Sequence, residues 1–363
     1  MKLCFVMGTR PEIIKLALLV KRAKSMEIGT YVVHSGQHYD YEMSQMFLGK
    51  ADVKPDVFLG VKEKTHGRQL SGIIKRLEPV LFREKPDFCI VDGDTNTTLA
   101  GALVAAKNDV RVVHTEAGCR CFLRTQEEIN RMIVDDVSDV LFAPSEYAVR
   151  NLRKEGVRGR VYNVGHAFVE IIRNLKKQHL LKRETELPRP PEYILVTCHR
   201  SENVDNRVVL KDIIDVLTGL NTTAFFPIHP RTQKMLKRFG SLRRKLDSSS
   251  HIHVVPPMDH REFLAFLEGA SVVITDSGGV QVEASILKVP CVTIREKTEW
   301  METVEAGFNL VVGTDPKAVK STVEKLLDGN YKEALKGRPT PFKGEKASED
   351  MMKILLMNEQ VKG

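Results

Sequence analysis

The sequence predicts two doubly wound α/β domains, and three observations support this fold class. The chain has 363 residues, which is more than a single hydrophobic core usually accommodates. Short, almost wholly apolar runs alternate with amphipathic segments, which is typical of parallel sheets covered by helices on both faces. The alternation stops once, between residues 176 and 191, and then starts again. We therefore expect two Rossmann-like domains that face each other across a cleft.

The first domain is expected over residues 1–175. Its predicted strands are the apolar runs Leu3–Met7, Tyr31–His34, Asp87–Val91, Arg111–His114, Val140–Ala143 and Val161–Val164. Apolar residues recur at spacings of three and four in the predicted helices Pro11–Lys24, Gln69–Glu84 and Gln126–Val137.

Residues 176–191 are charged, rich in proline and without periodicity, which predicts a linker. A second domain is expected over residues 192–346. Its predicted strands are Tyr193–Thr197, Ala224–Ile228, His251–Val255, Val272–Thr275, Cys291–Ile294 and Leu310–Val312. The last segment, residues 347–363, contains an amphipathic helix, and we expect it to join the first domain.

Composition limits the kinds of partner. A formal charge of +8, from 55 Lys and Arg against 47 Asp and Glu, favours anionic ligands. The basic residues do not alternate with aromatic ones, so we expect no nucleic-acid partner. No apolar run is long enough for a signal peptide or a membrane span, so we expect no membrane partner. Six cysteines without a Cys-x-x-Cys pair are typical of a reduced, cytoplasmic protein.

A glycine turn, Asp276-Ser277-Gly278-Gly279, follows the strand Val272–Thr275 and precedes a helical pattern. This order directs free backbone N–H groups and the positive end of a helix at one point, where a phosphate binds readily. Ser277 adds a hydroxyl, and Glu283 lies one turn further on, where a carboxylate can accept both hydroxyls of a ribose. An ordinary strand-to-helix turn without a ligand explains the same pattern.

Two cations follow the first strand. Arg10 lies where the first helix begins and Lys15 lies about one turn later. Positive charge is unfavourable at a helix N-terminus unless an anion is present, so these residues predict a phosphate or carboxylate ligand. Solvated surface cations are the alternative, and they suit Lys15 better than Arg10.

Three carboxylates lie at strand ends or helix starts of the first domain: Asp94, Glu116 and Glu127. Helix capping explains Asp94 and Glu127 singly. Carboxylates that lie close together raise each other's pKa toward the range of general acid and base catalysis. We therefore expect these three carboxylates to act in proton transfer. Arg131 lies one helical turn after Glu127 and is expected to orient it.

In the second domain His199 follows a strand and is a candidate general acid or phosphate ligand. His229 has a weaker claim, and Arg295 is a third cation near the glycine turn. A structural histidine is the alternative for His199. Nothing in the sequence resembles a serine-hydrolase elbow, and the His and carboxylate residues are too dispersed for a catalytic metal. We therefore expect no metal and no cofactor.

These motifs together resemble the non-hydrolysing UDP-N-acetylglucosamine 2-epimerases, in the same order and spacing up to about Gly313. The motifs are Gly8-Thr9-Arg10-Pro11-Glu12 with Lys15, Gly36-Gln37-His38, Gly93-Asp94-Thr95, Glu116-Ala117-Gly118, Glu127-Glu128-Ile129-Asn130-Arg131, Cys198-His199-Arg200 and Asp276-Ser277-Gly278-Gly279 with Gln281 and Glu283. The resemblance implies the GT-B arrangement, in which the active site lies between two Rossmann-like domains. It also implies a homodimer.

The resemblance implies inversion at C2 of a UDP-linked N-acetyl sugar through elimination and re-addition of UDP. It assigns acid and base roles to Asp94, Glu116 and Glu127, and makes His199 assist UDP departure. The remaining substrate positions are Arg10, Lys15, Arg131, His229, Phe263 at the uracil, Ser277, Gly278, Gly279, Glu283 at the ribose, and Arg295. A regulatory second UDP-sugar would contact Gln37, His38, Arg68 and Gln69, although Asp40 departs from the bacterial pattern.

Other departures leave the sugar open. Gln126 replaces a usual proline, Cys119 and Cys121 interrupt Glu-Ala-Gly-Leu-Arg, and Trp300 lies where N-acetylglucosamine epimerases usually have arginine. A tryptophan there resembles the branch that acts on UDP-2,3-diacetamido-2,3-dideoxy-glucuronate. A hydrolysing epimerase, a GT-B glycosyltransferase and a catalytically silent nucleotide-sugar binding protein are further alternatives.

Overall fold

The computed structural model describes residues 1–37, 53–63, 65–182, 187 and 190–360. The chain divides into two compact units. The first consists of Met1–Arg173 with Phe342–Gly363, and the second of Asn174–Pro341. The chain leaves the first unit within the helix Ala167–Lys177, so Lys176 and Lys177 are helical and do not belong to a linker.

The described part of the first unit contains a seven-stranded sheet, and all its strand pairs are parallel. Its strands are β1 (Lys2–Met7), β2 (Gly29–His34), β3 (Val57–Phe58), β4 (Phe88–Asp92), β5 (Arg111–Thr115), β6 (Val140–Ala143) and β7 (Arg160–Asn163). The order β3-β2-β1-β4-β5-β6-β7 is that of a doubly wound Rossmann sheet. The sequence missed β3, a two-residue strand with incomplete burial.

Helices cover both faces of this sheet. They are α1 (Arg10–Ser25), α2 (His66–Glu84), α3 (Asn96–Lys107), α4 (Gln126–Val137), α5 (Glu146–Glu155) and α6 (Ala167–Lys177). Successive side chains of β1 point to opposite faces, so Phe5 packs in the core that includes α1, and Val6 packs in the core that includes α2 and α3. Burial on both faces explains why the strands are almost wholly apolar.

The second unit contains a six-stranded sheet in its described residues, and its pairs are also parallel. Its strands are β8 (Ile194–Thr197), β9 (Ala224–Pro227), β10 (Ile252–Val255), β11 (Val272–Thr275), β12 (Cys291–Thr293) and β13 (Asn309–Val311). Its helices are α7 (Ser201–Val204), α8 (Arg207–Gly219), α9 (Pro230–Arg238), α10 (Gly240–Asp247), α11 (His260–Gly269), α12 (Gly278–Leu287), α13 (Met301–Glu305), α14 (Pro316–Asp328) and α15 (Tyr331–Lys336). The order β10-β9-β8-β11-β12-β13 repeats the Rossmann pattern.

The last helix, α16 (Ala347–Gln360), packs in the first unit. Its Met351 and Leu355 lie in the same core as Phe5 of β1. Arg111 ties the end of this helix to the sheet, because its Nη1 donates to the Asn358 carbonyl at 2.7 Å while its guanidinium stacks on Phe88.

Each sheet has one topological switch point, which is the place where the strand order reverses direction. In the first unit it lies between β1 and β4, beside the loops that carry Arg10 and Asp94. In the second it lies between β8 and β11, beside His199 and Ser277. Ligands of open α/β sheets bind at such points, beyond the carboxyl ends of the strands.

Two further findings concern the whole described chain. All six cysteines lie in described segments, are buried and form no disulfide. Among the residues with described positions, no helix combines the length and the apolar character needed to cross a membrane.

Candidate active site

Glu12 fixes the loop between β1 and α1. Its Oε2 accepts the backbone N–H groups of Gly8 at 2.6 Å and Thr9 at 2.8 Å, and its Oε1 accepts the Thr95 hydroxyl at 2.5 Å. Burial raises the pKa of Glu12, and these hydrogen bonds oppose the rise. Glu12 therefore joins the loop after β1 to the loop after β4 and fixes where Arg10 begins its helix.

Lys15 is buried and lies between two carboxylates. Its Nζ is 2.7 Å from Asp92 Oδ2 and 2.6 Å from Glu116 Oε2. Burial alone would lower the pKa of Lys15, but the charges of Asp92 and Glu116 outweigh burial and raise it. The anion that balances Lys15 thus comes from the protein itself, and Lys15 is not a solvated surface cation.

Glu116 has a second partner, because His166 Nε2 lies 3.0 Å from its Oε1. Burial acts to raise the pKa of Glu116, but Lys15 and His166 outweigh it and hold the pKa well below its usual range. The expectation that neighbouring carboxylates raise the pKa of Glu116 is therefore wrong. Of the two carboxyls that contact Lys15, the one with a raised pKa is Asp92, which the sequence did not single out: burial raises its pKa to about 7.

Arg131 contacts the two acids Asp94 and Glu128. Its Nη2 forms a short ion pair with Asp94 Oδ2, and its Nη1 lies 3.0 Å from Glu128 Oε2. The sequence suggested Glu127 as the partner of Arg131. Glu128 also accepts the backbone N–H groups of Cys121 and Phe122, so it fixes the loop before α4, while Glu127 is half-buried in the first turn of that helix.

A buried histidine supports the loop that carries Asp94. His114 Nε2 lies 2.8 Å from the Gly93 carbonyl oxygen, and its Nδ1 lies 2.6 Å from Asp135 Oδ1. Burial opposes ionisation of Asp135, but His114 and Arg120 lower its pKa. His114 therefore links the loop that carries Asp94 to Asp135 on α4.

The residues suggested for regulation bond to α3 and its N-terminus. Gln37 Oε1 accepts from the Thr97 backbone N–H at 2.9 Å and from its hydroxyl at 2.7 Å. Gln69 Oε1 accepts from Asn96 Nδ2 at 2.8 Å. Arg68 is exposed in the first turn of α2, whereas His38 and Asp40 lie outside the described residues.

In the second unit Asp276 organises the residues after β8. Its carboxylate accepts the backbone N–H groups of His199 and Arg200, each at 2.9 Å, and Asn203 Nδ2 at 3.1 Å. His199 Nδ1 lies 3.2 Å from Asp276 Oδ1. Burial acts to raise the pKa of Asp276, but these donors, led by His199, hold it well below its usual range. The ionised carboxylate therefore keeps the Nδ1 proton on His199 and leaves Nε2 for chemistry.

The glycine turn has an N-cap whose side chain is not used for capping. The Ser277 hydroxyl makes no capping bond to the first N–H groups of α12. A Cβ at Gly278 would lie 2.3 Å from Glu299 Oε1 and 2.9 Å from Trp300 Nε1, which explains the glycine. Gly279, half-buried, follows it.

Glu299 contacts two arginine side chains beside the glycine turn. Arg295 Nη1 lies 2.9 Å from Glu299 Oε2, and Arg200 Nη2 lies 3.8 Å from Glu299 Oε1. Further along α12, Glu283 is buried and lies 2.7 Å from His260 Nε2. These charges and the helix N-terminus form a site suited to a diphosphate.

The other residues singled out in this unit lie on neighbouring helices. Phe263 is buried on α11, the helix that His260 begins. His229 is exposed at the start of α9, and its ring centroid lies 5.1 Å from that of His199.

Sequence reasoning missed several residues that the structure brings into these clusters. They are Asp92, His114, Glu128, His166, His260, Asp276 and Glu299 as interacting side chains. Asp276 lies in the motif Asp276-Ser277-Gly278-Gly279, and Glu128 lies next to Glu127. Asp92 ends an apolar strand, and that position at a strand end is the signal that would have found it.

A family model described as UDP-N-acetylglucosamine 2-epimerase matches residues 21–356 of the chain. The chain belongs to this family. The resemblance drawn from the seven motifs is thereby confirmed, as are the enzyme class and the two parallel α/β domains.

Relatives of the UDP-N-acetylglucosamine 2-epimerase family match nearly the whole chain. The UDP-N-acetylglucosamine 2-epimerase of Methanocaldococcus jannaschii is 41% identical over 367 residues, covering 98% of this chain and 99% of that protein. The crystal structure of the M. jannaschii epimerase in complex with UDP-GlcNAc and UDP has a TM-score of 0.90 at 40% identity and covers 98% of this chain and 100% of that one. The UDP-2,3-diacetamido-2,3-dideoxy-D-glucuronate 2-epimerase of Pseudomonas aeruginosa is 38% identical over 325 residues, covering 86% of this chain and 88% of that protein.

Proposed function

We propose that this enzyme interconverts UDP-N-acetylglucosamine and UDP-N-acetylmannosamine without net hydrolysis. The observation that carries the proposal is the similarity, over 98% of the chain, to an epimerase whose crystal structure contains UDP-GlcNAc and UDP. The clusters described above supply the two requirements of this chemistry. They are an anion site for the diphosphate and carboxylates at the ends of strands for proton transfer.

In the proposed reaction the second unit binds UDP. The N-terminus of α12, the Ser277 hydroxyl, Gly279 and Arg295 hold the diphosphate, and Glu283 accepts from the ribose hydroxyls. Phe263 packs near the uracil. His199, with its Nδ1 proton fixed by Asp276, places Nε2 toward the leaving diphosphate and stabilises its developing charge.

The first unit supplies the acid and base groups, which are Asp94, Glu116 and Glu127. One carboxylate removes the C2 proton while the electrons of the C–H bond form a C1–C2 double bond and UDP leaves with the C1–O electrons. A second carboxylate returns a proton to the other face of C2, and UDP adds back at C1. Glu116 is ionised at neutral pH, since its pKa is lowered, and is ready to act as a base.

Arg10 completes the proposed substrate site by offsetting negative charge near the sugar. Lys15 contributes to that site by holding Glu116 in place, and Arg131 holds Asp94. A second UDP-sugar beside Gln37 and Gln69 is proposed as a regulator. Asn96 donates to Gln69, and Asn130 donates to the Asp94 carbonyl, so these hydrogen bonds give such a ligand a route to the catalytic loop.

A cytoplasmic homodimer is proposed as the working form. Exposed Phe82 on α2 and Met132 on α4 support an association surface on the first unit. Light scattering of the purified chain measures its mass directly, and a monomer at micromolar concentration would contradict the dimer.

The test is incubation with UDP-N-acetylglucosamine in heavy water, followed by mass spectrometry and separation of the products. The expected result is a stable mixture of both UDP-sugars with one deuterium at C2. Free N-acetylmannosamine with stoichiometric UDP would instead indicate a hydrolysing enzyme. An unchanged sugar without deuterium would exclude epimerisation and leave a binding protein or a transferase that lacks its acceptor.

A second candidate substrate is UDP-2,3-diacetamido-2,3-dideoxy-glucuronate. Trp300 and the 38% identity to the Pseudomonas aeruginosa epimerase favour it. The two UDP-sugars are supplied in parallel incubations, and the ratio of their kcat/KM values decides between them.

A further inference from the structure

One buried ammonium holds two carboxylates in the first unit. Lys15 Nζ lies 2.7 Å from Asp92 and 2.6 Å from Glu116, and all three side chains are largely removed from solvent. When both acids are ionised, the three side chains carry a net charge of −1, and protonation of one acid makes the set neutral. Since burial of net charge is unfavourable, the protonation of one acid is linked to the other through Lys15.

Burial indicates which acid takes the proton. The Phe168 backbone N–H donates to His166 Nδ1 at 3.1 Å, so Nδ1 accepts and the ring proton is on Nε2, facing Glu116. His166 Nε2 is 3.0 Å from Glu116, and the Thr115 hydroxyl donates to Asp92 at 2.6 Å, so the neutral neighbours do not separate the two acids. Burial separates them, because the side chain of Asp92 is 2% exposed and that of Glu116 is 17% exposed, and burial favours the neutral form of a carboxyl. The pKa directions agree, because burial raises the pKa of Asp92 to about 7 while Lys15 and His166 lower that of Glu116.

The surroundings of Asp92 permit this titration. The charged groups that act on the Asp92 carboxyl are Lys15 on α1 and Glu116 after β5, and His166 before α6 lies against Glu116. Glu12 on α1 approaches the Asp92 backbone through Thr98, and His114 on β5 contacts the Gly93 carbonyl beside it. A small cavity of about 10 Å³ borders the cluster, and its polar lining is Lys15, Asp92, Thr115, Glu116 and His166. This volume corresponds to about one water molecule and lies directly beside the carboxyls of the cluster.

We propose that Asp92 is a positioning residue that sets the basicity of Glu116 through Lys15. When Asp92 is ionised, it shares the ammonium, and Glu116 is a stronger base. When Asp92 is protonated, Lys15 interacts mainly with Glu116, which becomes a weaker base. The inference rests on the proposed function, in which Glu116 exchanges the C2 proton of the sugar.

The pH profile of kcat tests this link. In the wild-type enzyme kcat is expected to rise as Asp92 ionises near pH 7. The Asp92→Asn variant resembles the protonated acid at every pH, so this rise disappears. Its kcat above neutral pH falls about tenfold, to the level of the wild type at low pH, because a charge at this distance shifts a pKa by about 1–3 units. UDP affinity, measured by calorimetry, stays unchanged.

Asp139→Asn is the matched control. Asp139 is an aspartate of the same unit, and its Oδ2 accepts the Val112 backbone N–H at 2.7 Å. The Asp139→Asn enzyme is expected to keep the rise of kcat with pH. A rise near pH 7 that persists in Asp92→Asn, measured from about pH 5.5 to about pH 9, overturns the proposal. A folded Asp139→Asn enzyme whose kcat no longer rises with pH would also overturn the proposal.

Infrared spectroscopy of the wild type covers the case in which Asp92→Asn does not fold. With carbon-13 in the aspartate carboxyls, a protonated carboxyl band is expected to vanish through neutral pH. With labelled glutamate, a carboxylate band shifts at the same pH. Absence of either change overturns the inference. A wild type that shows both changes but epimerises no UDP-sugar refutes the proposed function and leaves the titration of Asp92 standing.

Discussion

Replacing Asp276 with Asn tests whether His199 depends on this carboxylate. The single carbonyl oxygen of Asn can occupy only one of the two carboxylate positions. If it keeps the bonds from the His199 and Arg200 backbone N–H groups, the amide NH₂ faces His199 Nδ1. The ring must then accept at Nδ1 and hold its proton on Nε2. In the Asp–His pair of serine proteases the same change costs about 10⁴-fold in kcat, so we expect a loss of about 10²- to 10⁴-fold here.

Stability gives a second readout for this variant. The pKa of Asp276 is lowered in the folded protein, so its ionisation stabilises the fold above the usual aspartate range, near pH 4. That stabilisation is lost as pH falls through this range toward the lowered pKa. The free energy of unfolding of the wild type is therefore expected to fall more steeply below about pH 4 than that of Asp276→Asn. At neutral pH the variant is less stable by about 1–3 kcal/mol, because its NH₂ cannot accept the donors that remain.

The assays are kcat for interconversion, calorimetry for UDP and chemical denaturation. Asp259→Asn is the matched control, since Asp259 caps α11 by accepting the Arg261 and Glu262 backbone N–H groups, and Asn caps equally well. The control is expected to keep wild-type kcat. A folded Asp276→Asn enzyme with kcat within about threefold of wild type would refute the role assigned to the carboxylate.

Two further substitutions in each unit separate proton transfer from UDP binding. Asp94→Asn or Glu127→Gln is expected to abolish turnover and deuterium uptake, while the UDP affinity measured by calorimetry stays near that of the wild type. Normal activity in both variants would contradict the acid and base roles of these residues. Glu283→Ala is expected to weaken UDP binding by ~1–3 kcal/mol, as for loss of a ribose hydrogen bond. His260→Asn keeps a donor beside Glu283 and is expected to weaken UDP binding less, so an equal or larger loss would argue that the histidine itself contacts the nucleotide.

The sheets could be predicted from sequence because their strands are buried on both faces. Val140–Ala143 and Val272–Thr275 were predicted with the bounds that the structure shows, since each is a short apolar run between polar turns. The two-residue strand Val57–Phe58 lacks such a run and was missed. The predicted linker begins inside α6. Lysines at the C-terminal end of a helix interact favourably with the helix dipole, so Lys176 and Lys177 suit a helix as well as a linker.

The charge state of the site could not be predicted from sequence. Spacing along the chain brings acids to the same edge of a sheet, but it does not show which cation lies between them. Lys15 reaches Asp92 and Glu116 from the second turn of α1, and this contact reverses the expected direction of the Glu116 pKa. The three residues come from different strand-to-helix units, so only the folded chain reveals their pairing.

A recurrent geometry separates acids that hold loops from acids available for chemistry. Glu12 accepts the consecutive N–H groups of Gly8 and Thr9. Glu128 does the same for Cys121 and Phe122, and Asp276 for His199 and Arg200. In all three cases one buried carboxylate satisfies two neighbouring donors that no strand or helix has paired, which fixes the backbone of a loop after a strand.

The acids proposed to exchange a proton with the substrate have a different arrangement. Asp94 and Glu116 keep part of their side chains exposed, 27% and 17%, and their partners are the side chains of Arg131, Lys15 and His166. A side-chain partner can move or share its proton, whereas a backbone N–H cannot. Both kinds of acid follow strands in the sequence and look alike there. The distinction rests on whether backbone N–H groups are among the donors to the carboxylate, and the backbone path becomes known only with the fold.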